Sequence, residues 1–225
     1  MGFLNPIFIL SILIALSVHE WAHAVAADRL GDSTARESGR LTLNPISHLD
    51  PIGTILFLTV GFGWGKPVPV DHRYFRRPKR DMAITAIAGP LSNLVLAFLA
   101  FLGLRFTGTT LEPDSLFNFF SGSGGVFQNF LSQFLLSSVF VNLGLMAFNL
   151  LPIAPLDGSK VLQMFIAYRY EEQYEDFMRF GPYLLLFLLV AERFMQFSIL
   201  SSWIGGIMEG VLTAFTALTK FIPGL

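Results

Sequence analysis

The chain has 225 residues, of which 53% are hydrophobic and 14% are charged, and its mean hydropathy is +0.59. Soluble domains carry about 25% charged residues, so this composition excludes an ordinary soluble domain and indicates an integral membrane protein. The net charge of -1 gives no basic character for binding nucleic acid, and the lack of cysteine excludes disulfides and thiolate metal ligands.

The first apolar segment, residues 3–27, is long enough to span about 30 Å of hydrocarbon. No charged n-region and no small-residue cleavage site precede it, so we interpret it as a retained helix and not as a signal peptide. Its last two turns hold the sequence His-Glu-Trp-Ala-His, which begins at His19 and ends at His23. This spacing puts both imidazoles on one helix face, where they can bind one zinc ion while Glu20 acts on a water molecule. The alternative is a pair of interfacial histidines at a helix end.

The polar region that follows contains one short apolar stretch. Residues 51–62 are too few to span a bilayer, which predicts a re-entrant or interfacial segment. Alternation over residues 39–43 predicts a strand, and residues 66–70 are typical of an extended edge because their two prolines cannot donate to a sheet. His48 and His72 lie in these loops, and we expect them to form hydrogen bonds and not to bind metal.

Further apolar segments predict spanning helices over residues 82–104 and 134–151, separated by a flexible Ser-Gly linker at 121–125. Residues 181–197 and 202–220 predict a helical hairpin, with one short helix and one long tilted helix as the alternative.

The expected fold is an all-α polytopic membrane protein with about five transmembrane helices. A re-entrant, β-strand-containing segment is expected between the first two. We expect a single membrane-embedded domain over residues 1–225, with a core over about 3–170 and a C-terminal hairpin over about 181–220.

A hydrolytic zinc site needs a third protein ligand and an open position. The carboxylates at membrane depth are Asp157, Glu192 and Glu209. Asp157 is the preferred ligand because it follows a proline-rich helix break at the predicted depth of His23; the alternative role is an N-cap. Asn93, in an apolar helix, is either a helix–helix hydrogen-bonding residue or a substrate contact.

Basic residues indicate the orientation in the membrane. They concentrate in loops 28–50, 64–81 and 157–180, whereas 106–133 contains none. If the short apolar stretch does not cross, all basic loops fall on one side, which should be cytoplasmic. The histidine pair and Asp157 are then near the cytoplasmic face.

Two motifs together resemble the site-2 protease family of intramembrane zinc metalloproteases: His-Glu-x-x-His from His19, and the segment from Asn149 through Pro152 to Leu156-Asp157-Gly158. The stretches 39–53 and 88–93 also resemble small bacterial and archaeal members, so the similarity covers about residues 10–170. Larger members of the family carry a further helix before the motif and an inserted PDZ domain. We expect neither of them in this sequence. The resemblance implies one zinc ion per chain, held by His19, His23 and Asp157.

The resemblance also implies that Glu20 is the general base and that Asn149 contacts the substrate or the oxyanion. The implied function is hydrolysis of transmembrane protein substrates near the cytoplasmic face, in the inner membrane of a prokaryotic cell. A substrate helix must unwind, and residues 39–43 or 66–70 are candidate edges for adding its strand.

Two competing functions are a membrane metal-binding or transport protein without proteolytic activity and an inactive scaffold. The intact Glu20 argues against the scaffold. Nucleic acid is not an expected partner, and the sequence does not decide whether the chain forms oligomers.

Overall fold

The computed structural model describes residues 4–60, 63–108, 130–194 and 198–220, and within them the chain is helical without strands. The predicted linker at 121–125 lies outside the described residues. The helices, in chain order, are α1 (Pro6–Leu30), α2 (Thr34–Glu37), α3 (Pro51–Val60), α4 (Pro78–Phe106), α5 (Phe130–Asn149), α6 (Asp157–Gln163), α7 (Glu171–Arg179), α8 (Gly181–Phe194) and α9 (Ile199–Thr219).

Four of the described helices, α1, α4, α5 and α9, are long and apolar enough to cross a membrane. The prediction of an all-α polytopic protein is therefore confirmed. The expected count of five is not, because α8 has 14 residues and a span needs about 20.

Local sequence signals define the ends of α1. The Asn5 side chain accepts the N–H of Ile7, and Pro6 occupies the first turn, where its missing N–H has no cost. At the other end Gly31 adopts a φ of 112°, a left-handed conformation that favours glycine. α1 therefore stops about two turns after the second histidine.

The predicted strand at 39–43 is not confirmed. The N–H of Arg40 donates to the Ala35 carbonyl, and the Thr42 carbonyl accepts from Nε2 of His48. These local bonds hold the segment as a turn and a bend, without a partner strand. The residues described between α1 and α4 contain one isolated antiparallel bridge. It joins Leu49, which precedes α3, to Gly65, which follows α3.

The buried side of α1 carries small residues, which allows α4 to approach closely, as in packed membrane helices. A separate apolar core joins α4, α5 and α9. Trp203 on α9 also donates its indole N–H to the carbonyl of Ala147 on α5, at 2.9 Å. The main core residues are Phe101, Leu104, Leu136, Phe140, Leu143 and Phe215.

Candidate active site

The last turns of α1 bring two buried imidazoles to the first residue of α6. The Nε2 atoms of His19 and His23 lie 3.0 Å apart, and Oδ2 of Asp157 lies 3.2 Å from each of them. Among the described residues, these three side chains form a cluster of ligand atoms that could hold a metal ion. The predicted ligands therefore lie together, although Asp157 is distant from the histidines in sequence.

The break between α5 and α6 explains how Asp157 reaches this point. A Cβ atom on Gly158 would lie 2.3 Å from the carbonyl oxygen of Leu150 and 2.4 Å from that of Leu151. Only glycine therefore lets the start of α6 pack so closely against the end of α5. Asp157 is the first residue of α6, and Leu156 occupies the cap position, so the N-cap interpretation of Asp157 is wrong.

Each imidazole is oriented through its other nitrogen. Nδ1 of His23 lies 2.7 Å from the carbonyl oxygen of Thr85, and Nδ1 of His19 lies 2.6 Å from Oδ1 of Asn93. Both partners on α4 are acceptors, so each Nδ1 carries a proton. In the neutral imidazoles the Nε2 lone pairs then face Asp157, as metal-binding histidines require.

Asn93 belongs to a chain of amides between α1, α4 and α5. Its Nδ2 donates to the Ala15 carbonyl at 3.2 Å and to Oδ1 of Asn142 at 2.9 Å. Nδ2 of Asn142 in turn donates to the Ser138 carbonyl at 2.8 Å. Asn93 is fully buried, and its side-chain oxygen contacts His19.

Gly89 allows α4 to lie directly against the histidine pair. A Cβ atom at this position would be 2.4 Å from Nε2 of His23 and 2.7 Å from Cε1 of His19. Contacts that short do not occur in folded proteins, so a larger residue would displace the imidazoles or the helix. The absence of a side chain at Gly89 thus leaves room for the two rings.

The donor set fits a zinc ion. In a tetrahedral site with bonds of about 2.0–2.1 Å, neighbouring ligand atoms are about 3.3 Å apart, close to the separations found here. Oδ2 of Asp157 is buried without a hydrogen-bond donor. Two imidazole lone pairs and a carboxylate oxygen repel one another at this range unless a cation or a shared proton lies between them.

Glu20 lies beside the cluster and contacts the loop before α4. Its Oε2 accepts the backbone N–H of Val68 at 2.9 Å, and the carboxylate is buried. The same loop is fixed by Lys66, whose N–H donates to the His48 carbonyl and whose carbonyl accepts from the Arg40 guanidinium. Glu20 is therefore held by a backbone donor within an anchored loop.

The sequence model of "Peptidase family M50" matches residues 7–191. The chain belongs to peptidase family M50. The resemblance to site-2 proteases is thus confirmed, and the protein is an intramembrane zinc metalloprotease with zinc as its cofactor.

Curated relatives carry corresponding names. "Putative zinc metalloprotease YwhC" of Bacillus subtilis (strain 168) is 43% identical over 160 residues, which cover 71% of this chain and 69% of the relative. "Putative zinc metalloprotease Rip2" of Mycolicibacterium smegmatis is 30% identical over 229 residues, which cover 96% of this chain and 81% of the relative. "Putative zinc metalloprotease MJ0611" of Methanocaldococcus jannaschii is 34% identical over 113 residues, which cover 50% of this chain and 49% of the relative. No solved structure matches the chain.

The other residues of this M50 peptidase that the sequence suggested for the site lie outside the cluster of His19, His23 and Asp157. Asn149 donates its side-chain amide to the Leu145 carbonyl of its own helix and is half-buried. Glu192 accepts the N–H of Ser201 between α8 and α9, and Glu209 is exposed on α9. Neither glutamate contributes to the group around Asp157.

Three partners in the site were not identified from the sequence: the Thr85 carbonyl, the Val68 amide and Asn142. The first two are backbone groups, which leave no side-chain signal. Asn142 does leave one, because an asparagine in an apolar helix usually has a polar partner in a neighbouring helix.

Proposed function

We propose that His19, His23 and Asp157 bind the zinc ion of this protease and that Glu20 is its general base. The observation that carries the proposal is the convergence of two oriented imidazoles and one buried carboxylate within 3.2 Å. Glu20 follows His19 directly in α1, so the base and the two histidine ligands share one rigid element.

The chain's own groups would act in sequence. When bound, zinc activates water and polarises the scissile carbonyl. Glu20 takes a proton from the attacking water and delivers it to the leaving amine. The Val68 N–H keeps the carboxylate of Glu20 oriented between these two transfers. Asn149 has two amide protons and uses one for the Leu145 carbonyl, and we assign the second to the substrate carbonyl oxygen.

We further propose that the substrates are transmembrane proteins cut near the cytoplasmic face. The loop between α3 and α4 carries a cluster of exposed arginines, which favours a cytoplasmic position for this end of α4. α3 has 10 residues and exposes Ile52, Ile55 and Leu58. It would therefore enter the bilayer and return without crossing, which keeps the basic loops on one side.

The chain acts, in this proposal, as one membrane-embedded domain in a prokaryotic cell membrane, consistent with its bacterial and archaeal relatives. The 66–70 edge is a poor site for adding a substrate strand, because Lys66 and Val68 already use their N–H groups and both prolines lack one.

The experiment is elemental analysis for zinc together with cleavage of single-span membrane proteins by the purified full chain. Glu20→Gln should keep zinc and lose cleavage by at least about 100-fold. Asp157→Asn should lose both. Glu209→Gln is the matched control, since this glutamate is exposed on a membrane helix away from the site, and it should keep both.

A Glu20→Gln variant that cleaves at the normal rate would refute the assignment of the base. An Asp157→Asn variant with full zinc content would refute the ligand set. Metal uptake by vesicles without any proteolysis would favour a transport protein instead.

A further inference from the structure

We infer that Asn93 is a positioning residue for zinc binding: its side-chain oxygen fixes the proton of His19 on Nδ1 and thereby directs the Nε2 lone pair to the metal. The inference rests on the proposed ligand set. Asn93 touches neither substrate nor zinc in this role, and it acts entirely through His19.

Backbone carbonyl groups at the ends of the amide chain set the direction of its hydrogen bonds. The Ala15 carbonyl can only accept a hydrogen bond, so the group of Asn93 that faces it must be Nδ2. Oδ1 of Asn93 then faces His19 and accepts from it at 2.6 Å. The imidazole is left with Nδ1 protonated and Nε2 free to bind metal.

Asn142 reinforces the same orientation from α5. The Ser138 carbonyl requires the Nδ2 group of Asn142, which leaves Oδ1 of Asn142 facing Nδ2 of Asn93. Turning either amide would bring two donors or two acceptors together. Both asparagines are at most 2% exposed, so water cannot replace a lost partner.

His23 does not need such a relay, because its Nδ1 donates directly to the Thr85 carbonyl. A backbone carbonyl can accept only, so the tautomer of His23 is fixed without a side chain. The tautomer of His23 is thus fixed by a backbone carbonyl, whereas that of His19 is fixed by a buried side-chain amide.

The test compares Asn93→Asp with Asn93→Leu. Aspartate keeps an oxygen toward His19 but loses the donors to Ala15 and Asn142, whereas leucine loses both functions. If Asn93 only joined helices, it would act through its Nδ2 donors, which both variants lose, and the two variants would bind zinc equally. If Asn93 positions His19, only the aspartate variant keeps the acceptor for His19, so the two variants differ in zinc affinity.

Zinc affinity is measured by chelator competition on the purified full chain, and the tautomer of His19 by ¹⁵N NMR of histidine side chains in the metal-free protein. Asn93→Leu should weaken zinc binding by about 10- to 100-fold and shift His19 away from the Nδ1-protonated tautomer. Asn93→Asp should keep the tautomer and bind zinc at least ten times more tightly than the leucine variant. Ser11→Ala removes a buried hydroxyl from α1, one that donates to the Ile7 carbonyl, and is the control for loss of a buried polar group.

If Asn93→Leu does not fold, Asn142→Leu replaces it. This variant leaves the Nδ2 group of Asn93 with the Ala15 carbonyl, at 3.2 Å, as its remaining partner, so the amide is held less firmly. It should give a partial shift of the His19 tautomer and a smaller loss of zinc affinity. Equal zinc affinity and an unchanged tautomer in the leucine variants would overturn the inference, as would an Asn93→Asp variant no better than leucine. Wild-type protein without zinc would instead refute the ligand set, while the tautomer of the metal-free protein still tests the role of Asn93.

Discussion

Val68 donates its backbone N–H to Oε2 of Glu20 across 2.9 Å. Pro67 and Pro69 flank it, and neither has an N–H, so this is the single amide donor of the three residues. The Val68 side chain is buried against Ala24 and Ala35. The loop therefore presents one rigid donor to the proposed base.

Glu20→Ala should expose the Val68 amide to solvent exchange, because it removes the acceptor. Glu20→Gln keeps an amide oxygen and should leave exchange slow. Hydrogen–deuterium exchange followed by NMR at single amides measures this, and Lys66 and Val68 are the two residues of 66–69 that have an amide N–H. The Lys66 amide donates to the His48 carbonyl and is the internal control. Equal exchange at Val68 in the alanine variant and wild type would contradict the hydrogen bond.

Gly89→Ala should disrupt the zinc site. The new methyl group would lie 2.4 Å from Nε2 of His23, and α4 and the imidazole cannot both keep their positions. We expect zinc affinity to fall by more than about 10-fold, a loss on the scale of removing an outer-shell partner. Gly144→Ala on α5 is the matched control, because its Cβ would meet open space, and it should not change zinc binding. Similar affinities in the two variants would rule out close packing of α4 on the histidines.

Removal of zinc should lower the thermal stability of the protein. Chelation leaves two imidazoles and the Asp157 carboxylate in contact without their cation, and it also removes the stabilisation that binding adds. That stabilisation is about 2.7 kcal/mol at a free zinc concentration 100 times the Kd. The midpoint of unfolding in detergent should fall with chelator and recover with zinc. Asp157→Asn should show no such response, and a response equal to wild type would argue for zinc bound elsewhere.

Asp32→Ala should destabilise the loop that holds Glu20. Asp32 is fully buried; its Oδ1 accepts the N–H of Thr34 and its Oδ2 accepts that of Asp71 at 2.7 Å. Truncation leaves buried donors unpaired, at a cost of about 1–3 kcal/mol each. Limited proteolysis near residue 71 should become faster. Asp176→Asn, at an exposed position on α7, should leave the rate unchanged.

Patterns within a single helix could be predicted from the sequence. The spacing of His19 and His23 follows from helix geometry alone, and the prolines before Asp157 indicate a break by their own chemistry. The strand at 39–43 was a weaker prediction, because alternation does not supply a partner strand. For residues 181–220 the sequence left two alternatives, a hairpin of spanning helices or one short and one long helix, because Glu192 and Arg193 interrupt an otherwise apolar segment; the described α8 has 14 residues.

Contacts between helices could be predicted only in part. A buried Asn93 must find a partner, but whether that partner is a helix or a substrate depends on how α1, α4 and α5 pack. The bond between Val68 and Glu20 depends on the fold of a loop with no regular structure. Backbone donors have no residue type that would mark them in a sequence.

The break before α6 also has a consequence for biosynthesis. A nascent chain that has inserted α1 already carries both histidines and Glu20, but Asp157 leaves the ribosome only after α4 and α5 have been made. Until α6 docks through Gly158 onto the end of α5, the proposed zinc site has two of its three ligands in place. In this proposal a nascent chain cannot complete the site before α4 and α5 have been made.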